Sequence, residues 1–151
     1  MASPYTDPMR IALEEAQAAA LAGEVPVGAV VTRGGKIVAR ARNRMRDLND
    51  PTAHAEMVAI RAAAEVLGTS RLDGCDLWVT LEPCAMCAGA MALARIARLY
   101  FGAADPKGGA VLHGPRLFGQ STCHHAPEVY SGIGEGEAGE LLRRFFAERR
   151  N

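Results

Sequence analysis

Two short stretches hold side chains whose types and spacing suit catalysis at a metal: His54-Ala55-Glu56, and about thirty residues later Pro83-Cys84-Ala85-Met86-Cys87. His54, Cys84 and Cys87 offer one imidazole nitrogen and two thiolates, a three-ligand set for zinc that leaves the fourth tetrahedral position open. An open position separates a working zinc from a structural one, which four protein ligands close. Zinc brings the pKa of a bound water down toward ~7 and so makes a nucleophile at neutral pH. Such a nucleophile can attack an amino-bearing ring carbon, as in cytosine, adenine or guanine. Glu56 is the carboxylate left over beside the ligands, suited to take the water's proton, protonate the ring nitrogen and pass a proton to departing ammonia.

A C-x-x-C pair alone also fits a redox couple or half of a zinc finger. A finger needs a second close pair of ligands, and no such pair completes this one. A redox couple gives no reason for His54-Ala55-Glu56 upstream. H-x-E followed by P-C-x-x-C is, by contrast, the joint signature of zinc nucleobase deaminases.

The elements that must position these groups follow from pattern. Asp50-Pro51 predicts a helix start, with Asp50 as N-cap and Pro51 at the first helical position. That helix runs to about Leu67, with Val58, Ile60, Ala62, Ala63 and Val66 as its apolar residues, and Gly68 stops it. Residues 75–81 read as a strand delivering the chain into a second helix, with Pro83 just inside it and Cys84 and Cys87 on one face. The positive ends of both helix dipoles then favour thiolates and a carboxylate. His54 and Glu56, two apart, converge only if the helix start is suitably placed.

Upstream, residues 8–22 form an apolar-rich helix ended by Gly23, and residues 25–32 a buried strand. Residues 33–36 turn into a second strand from Ile37 to about Asn43. Gly28 is either a close-approach position for a ligand or a bulge. Arg40, Arg42, Arg44 and Arg46 alternate, as a phosphate-binding stripe or as a solvated face. Downstream, residues 98–103 are a strand and residues 105–119 a glycine-rich loop long enough to wall a substrate site. Cys123-His124-His125 lacks paired metal-ligand spacing. Residues 128–133 are a short fifth strand, and residues 135–150 a helix with Leu141, Leu142, Phe145 and Phe146 inward. Its Arg143, Arg144, Arg149 and Arg150 either complement the helix dipole or contact nucleic acid.

The chain of 151 residues is expected to be one domain, residues 1–151. Formal net charge is zero, so no global field draws it to nucleic acid. Four cysteines, two assigned to metal, suit a reducing compartment. No apolar run is long enough to span a membrane and the first residues do not form a secretory signal, so the cytoplasm is expected.

With these motifs in view, the chain resembles the bacterial tRNA-specific adenosine deaminases of the cytidine deaminase superfamily. The likeness lies in Glu24-Val25-Pro26-Val27-Gly28-Ala29-Val30, Asn43, residues 50–56, residues 79–87, Phe101-Gly102-Ala103 with Asp105 and Lys107, and Phe145-Phe146 with Arg149-Arg150. The resemblance implies an α/β fold, a three-layer αβα sandwich around a five-stranded mixed sheet. It implies a homodimer with one zinc per subunit on His54, Cys84 and Cys87, and Glu56 as proton shuttle. Asn43, Ala29 and Asp105 would contact substrate, with the backbone of Pro83 and Cys84 beside the metal. The implied substrate is the wobble adenosine of an arginine-tRNA anticodon, converted to inosine. After Lys107 the chain departs from the family pattern, in the 105–119 loop and at Cys123-His124-His125-Ala126-Pro127. A deaminase of free guanine, cytosine or a nucleoside would share the catalytic residues. A non-catalytic zinc domain binding RNA or protein would leave Glu56 without a role.

Overall fold

The structure is a computed structural model and describes residues 7–149. Asp7 caps the first helix, α1 (Pro8–Leu21), by accepting a hydrogen bond from Met9 N at 3.0 Å, and Pro8 occupies the first turn. Strands β1 (Gly28–Arg33) and β2 (Lys36–Arg42) form a hairpin closed by Gly34 and Gly35 at φ 58° and 77°. Two consecutive positive φ angles are what a type I′ turn requires, and glycine supplies them without a Cβ penalty. Next come α2 (Ala55–Leu67), β3 (Cys75–Leu81), α3 (Ala85–Ala94), β4 (Arg98–Ala103), a single 3₁₀ turn at Leu117–Gly119, β5 (Glu128–Tyr130) and α4 (Glu135–Arg149).

The sheet order is β2-β1-β3-β4-β5. β1 runs antiparallel to β2 and β3, while β3, β4 and β5 are parallel, so the sheet is mixed as expected. Alternation along the strands sends their side chains to two cores. Val30 packs with Met9, Leu13 and Ala138, from α1 and α4. Ala29, Val31, Leu77, Val79, Leu99 and Phe101 pack on the other side with residues of α2 and α3. The result is three layers, with α2 and α3 together on one face.

Several boundaries differ from the sequence pattern. β1 begins at Gly28, not Val25, because Pro26 has no N–H and the Val25 carbonyl is taken by Val27 N at 2.8 Å. Gly28 is not the bulge. A Cβ there would lie 1.9 Å from Ala12 O, so the glycine lets α1 cross the strand, and the bulge falls at Val31/Thr32. On α2 the inward side chains are Ala55, Glu56, Ala59 and Ala63, while Val66 is 67% exposed. β5 stops at Tyr130, short of Ile133, whose N–H instead bonds Phe101 O. On α4, Phe145 is buried and Phe146 is exposed, and Arg150 lies outside the described residues. Among the described residues no helix is long and apolar enough to cross a membrane.

Candidate active site

Both helices that carry the motif begin on a candidate ligand residue. His54 is the N-cap of α2, with extended backbone at φ −66°, ψ 152°. Cys84 is the N-cap of α3 at φ −76°, ψ 175°. The expected starts at Asp50-Pro51 and Pro83 are therefore too early. Asp50 Oδ1 instead accepts from Thr52 N at 2.9 Å and Thr52 Oγ1 at 2.7 Å, closing a turn ahead of the helix. An extended His54 removes the spacing problem, because it lies outside the regular helix that carries Glu56. Neither N-cap side chain bonds its own helix.

Their side chains meet each other instead. His54 Nδ1 lies 3.6 Å from Cys84 Sγ and 3.6 Å from Cys87 Sγ. A tetrahedral zinc with metal–sulfur bonds of about 2.3 Å and metal–nitrogen bonds of about 2.05 Å has an N···S edge of about 3.6 Å. Both N···S edges of one face of a zinc tetrahedron are thus already in place. Among the described residues these three donors are the one group of His, Cys, Asp or Glu that could hold a metal in this way. Cys123 and His125 are used otherwise: Cys123 Sγ donates to His125 O, and His125 Nε2 lies 2.7 Å from Ile96 O, tying this segment to the end of α3.

Glu56 is the second residue of α2 and is buried. Burial pushes its carboxyl up to about 7, with the Cys84 charge adding to that and His54 and the Cys87 thiol working against it. A carboxyl near neutrality suits a group that must both take and give a proton. Cys84 is held down to about 4, chiefly by its hydrogen bond from Cys87 and further by His54, while Cys87 is pushed up by the same bond and by burial. The bond to Cys84 raises His54.

The remaining sequence candidates take the following places. Asn43, 5% exposed, accepts from Ala55 N at 2.7 Å through Oδ1 and donates to Val25 O at 3.0 Å through Nδ2. It thus caps α2 from outside, in place of His54. Asp105 Oδ1 accepts from Lys107 N and Gly108 N, turning the chain after β4. Ala29 is fully buried in β1 between Ala41 and Val79, packed in the same core as Ala55. Pro83 offers a carbonyl, which accepts from Ala110 N at 2.9 Å. Arg40 and Arg42 pair with Glu15 of α1 at 2.7 and 3.5 Å, and Arg44 pairs with Asp47, so most of the arginine stripe is internally matched.

Two buried carboxylates escaped the motif reading. Glu24 accepts from the backbone N–H groups of Arg46 and Asp47, fixing the segment before α2. Glu82 accepts from four backbone amides and the His113 ring, fixing the segment after β4. The available signal was a charged residue set beside proline in an apolar stretch, Glu24-Val25-Pro26 and Leu81-Glu82-Pro83. A glutamate buried there must find donors.

An αβα sandwich whose two adjacent helices open on a His/Cys/Cys triangle, with a buried glutamate beside it, has the architecture of a nucleobase deaminase. Residues 3–103 match the family model described as the cytidine and deoxycytidylate deaminase zinc-binding region, and the chain belongs to that family. It is 60% identical over 142 residues to the tRNA-specific adenosine deaminase of Agrobacterium fabrum, covering 94% of this chain and 93% of that protein. A solved structure from a study of A-to-I editing by tRNA:A34 deaminases superposes with a TM-score of 0.89 at 59% identity, covering 89% of this chain and 98% of that one. A guanine deaminase from Nitrosomonas europaea gives a TM-score of 0.76 at 26% identity, covering 97% and 86%.

Proposed function

We propose that this chain is a zinc-dependent hydrolytic deaminase that converts the wobble adenosine of a tRNA anticodon, of the arginine type, to inosine. The observation that carries the chemistry is the triangle of His54 Nδ1, Cys84 Sγ and Cys87 Sγ, with N···S edges of 3.6 Å, beside the buried Glu56. The substrate rests on the 60% identity to a protein named for that activity, against 26% to the guanine deaminase. His54, Cys84 and Cys87 hold one zinc per subunit, which when bound supplies the Lewis acidity that makes a water nucleophilic at neutral pH.

The chain's own residues carry the protons. Glu56 accepts the proton of the attacking water and delivers it to N1 of the adenine. It then takes the second proton and gives it to the leaving amino group. A C6–O bond forms, the C6–N6 bond breaks, and water and adenosine become inosine and ammonia. Asn43 holds Ala55 and with it the start of α2 at one side of the flipped base, and Asp105 shapes the opposite wall. Ala29 belongs to the same buried core as Ala55, at the start of α2. The backbone at Pro83 and Cys84 borders the metal. The enzyme works as a homodimer of single-domain subunits, residues 1–151, in the cytoplasm.

The test is inosine formation in an arginine-tRNA anticodon stem-loop, beside ammonia release from free guanine, cytosine and adenosine. Inosine at the wobble position, with no turnover of free bases, supports the reading. Ammonia from a free base with the RNA untouched moves the enzyme to nucleobase salvage. Sedimentation of the zinc-loaded protein tests the dimer.

A further inference from the structure

We propose that Glu82 is a positioning residue for substrate binding: its carboxylate suspends the 105–113 segment as one wall of the site, in register with the metal ligands, without itself touching substrate. This rests on the reading of the segment as a substrate wall.

The side chain of Glu82, at the end of β3, is fully buried. Five donors converge on it. Oε1 accepts from Asp105 N at 3.0 Å and lies 2.8 Å from His113 Nδ1. Oε2 accepts from Val111 N at 3.2 Å, Leu112 N at 2.9 Å and His113 N at 3.2 Å. Three successive amides on one oxygen make an anion-binding concavity, here filled by the protein's own carboxylate. The backbone wraps so tightly that a Cβ on Gly109 would lie 2.4 Å from Glu82 Cδ and 2.5 Å from Asp105 O. Ala110 N then bonds Pro83 O at 2.9 Å, one residue before the ligand Cys84. Glu82, Pro83 and Cys84 are consecutive, so the wall and the metal triangle are fixed by three neighbouring residues.

The arrangement demands a carboxylate. A glutamine of the same shape would turn its NH₂ toward donors, leaving buried N–H groups unpaired, and the segment would come loose. The His113 ring is partly exposed and supplies one of the five donors, so its loss should weaken the suspension without removing it.

The test uses the full-length zinc-loaded enzyme and an anticodon stem-loop. In Glu82→Gln we expect unchanged zinc content, KM raised about tenfold or more and kcat within about twofold, the pattern of lost binding rather than lost chemistry. Hydrogen exchange at residues 111–113 should accelerate at least about tenfold as local opening becomes easier. His113→Ala should raise KM about two- to threefold with kcat unchanged, and it keeps the proposal testable should Glu82→Gln fail to fold. Loss of zinc or kcat with KM unchanged would overturn the proposal and make Glu82 a support for the ligands alone. Unaltered exchange at 111–113 would overturn it as well. The exchange measurement needs no substrate, so it stands even if the wild type acts on a free base and not on RNA.

Discussion

The two helices that carry the metal triangle begin alike and are supported differently. α2 starts on His54 and α3 on Cys84, both extended and neither spending its side chain on its own helix. In most helices the N-cap side chain satisfies an orphan amide. Here those side chains face each other and leave their own helices uncapped, so support must come from elsewhere. At α2 it is one distant side chain, Asn43, bonded to Ala55 N, with Glu24 fixing the residues between them. At α3 it is an entire segment, hung on Glu82 and bonded back through Ala110 to Pro83. A ligand at a helix start thus obtains an unobstructed side chain, and the fold supplies the cap from another part of the sequence.

The largest expected effects come from removing a ligand on the α3 side and, separately, the proton-carrying carboxylate on the α2 side. Cys87→Ala removes a ligand from the first turn of α3. Zinc content should fall to background, turnover should disappear, and the melting temperature should drop by roughly 10 °C as metal-linked stabilisation is lost. The wild type stripped by a chelator should melt like this variant. Glu56→Gln, in the first turn of α2, should keep zinc and melt near the wild type while losing about 10²–10⁴ in kcat. Retained turnover in Glu56→Gln would sink its role as proton shuttle. Metal analysis beside single-turnover rates separates the two variants.

Next in size is the borrowed cap. Asn43→Ala leaves Ala55 N, inside the protein, without its partner, while Val25 O keeps its bond from Val27 N. That should cost about 1–3 kcal/mol in denaturant unfolding. Asn43→Asp retains the acceptor for Ala55 N and should recover part of the loss. An unchanged midpoint in Asn43→Ala would mean that α2 needs no external cap.

The same contrast explains what could be read from the sequence. β3 and β4 were legible to the residue, because residues 75–81 and 98–103 are short runs rich in aromatic and other apolar residues and the strands lie between covered faces. The chemistry was legible because ligand type and spacing are local facts. The helix starts were not. Asp50-Pro51 and Pro83 carry strong cap signals, yet they shape the turns that bring His54 and Cys84 to the N-cap, and a cap scale gives no weight to side chains reserved for metal. Glu24 and Glu82 were hidden for another reason. Their burial exists only once Arg46, Asp47 and residues 105–113 fold over them. Val66 and Phe146 erred in the opposite direction, as apolar residues whose helical position fitted the core but whose side chains remain exposed.

The smallest effects lie at the other ends of these helices, where the two again diverge. Both C-caps adopt the left-handed conformation, Gly68 at φ 68° after α2 and Arg95 at φ 65° after α3. A Cβ on Gly68 would meet nothing within 4 Å, so Gly68→Ala tests backbone conformation alone. It should destabilise by about 1 kcal/mol. Arg95 already bears that conformational cost, and Arg95→Gly should remove it, with a net gain below about 1 kcal/mol because glycine also widens the unfolded ensemble. Urea midpoints at constant m-value resolve both changes. If Arg95→Gly lowers stability, the arginine side chain contributes more by its contacts than its backbone costs, and α3 is held at its end, as at its start, by groups outside the helix.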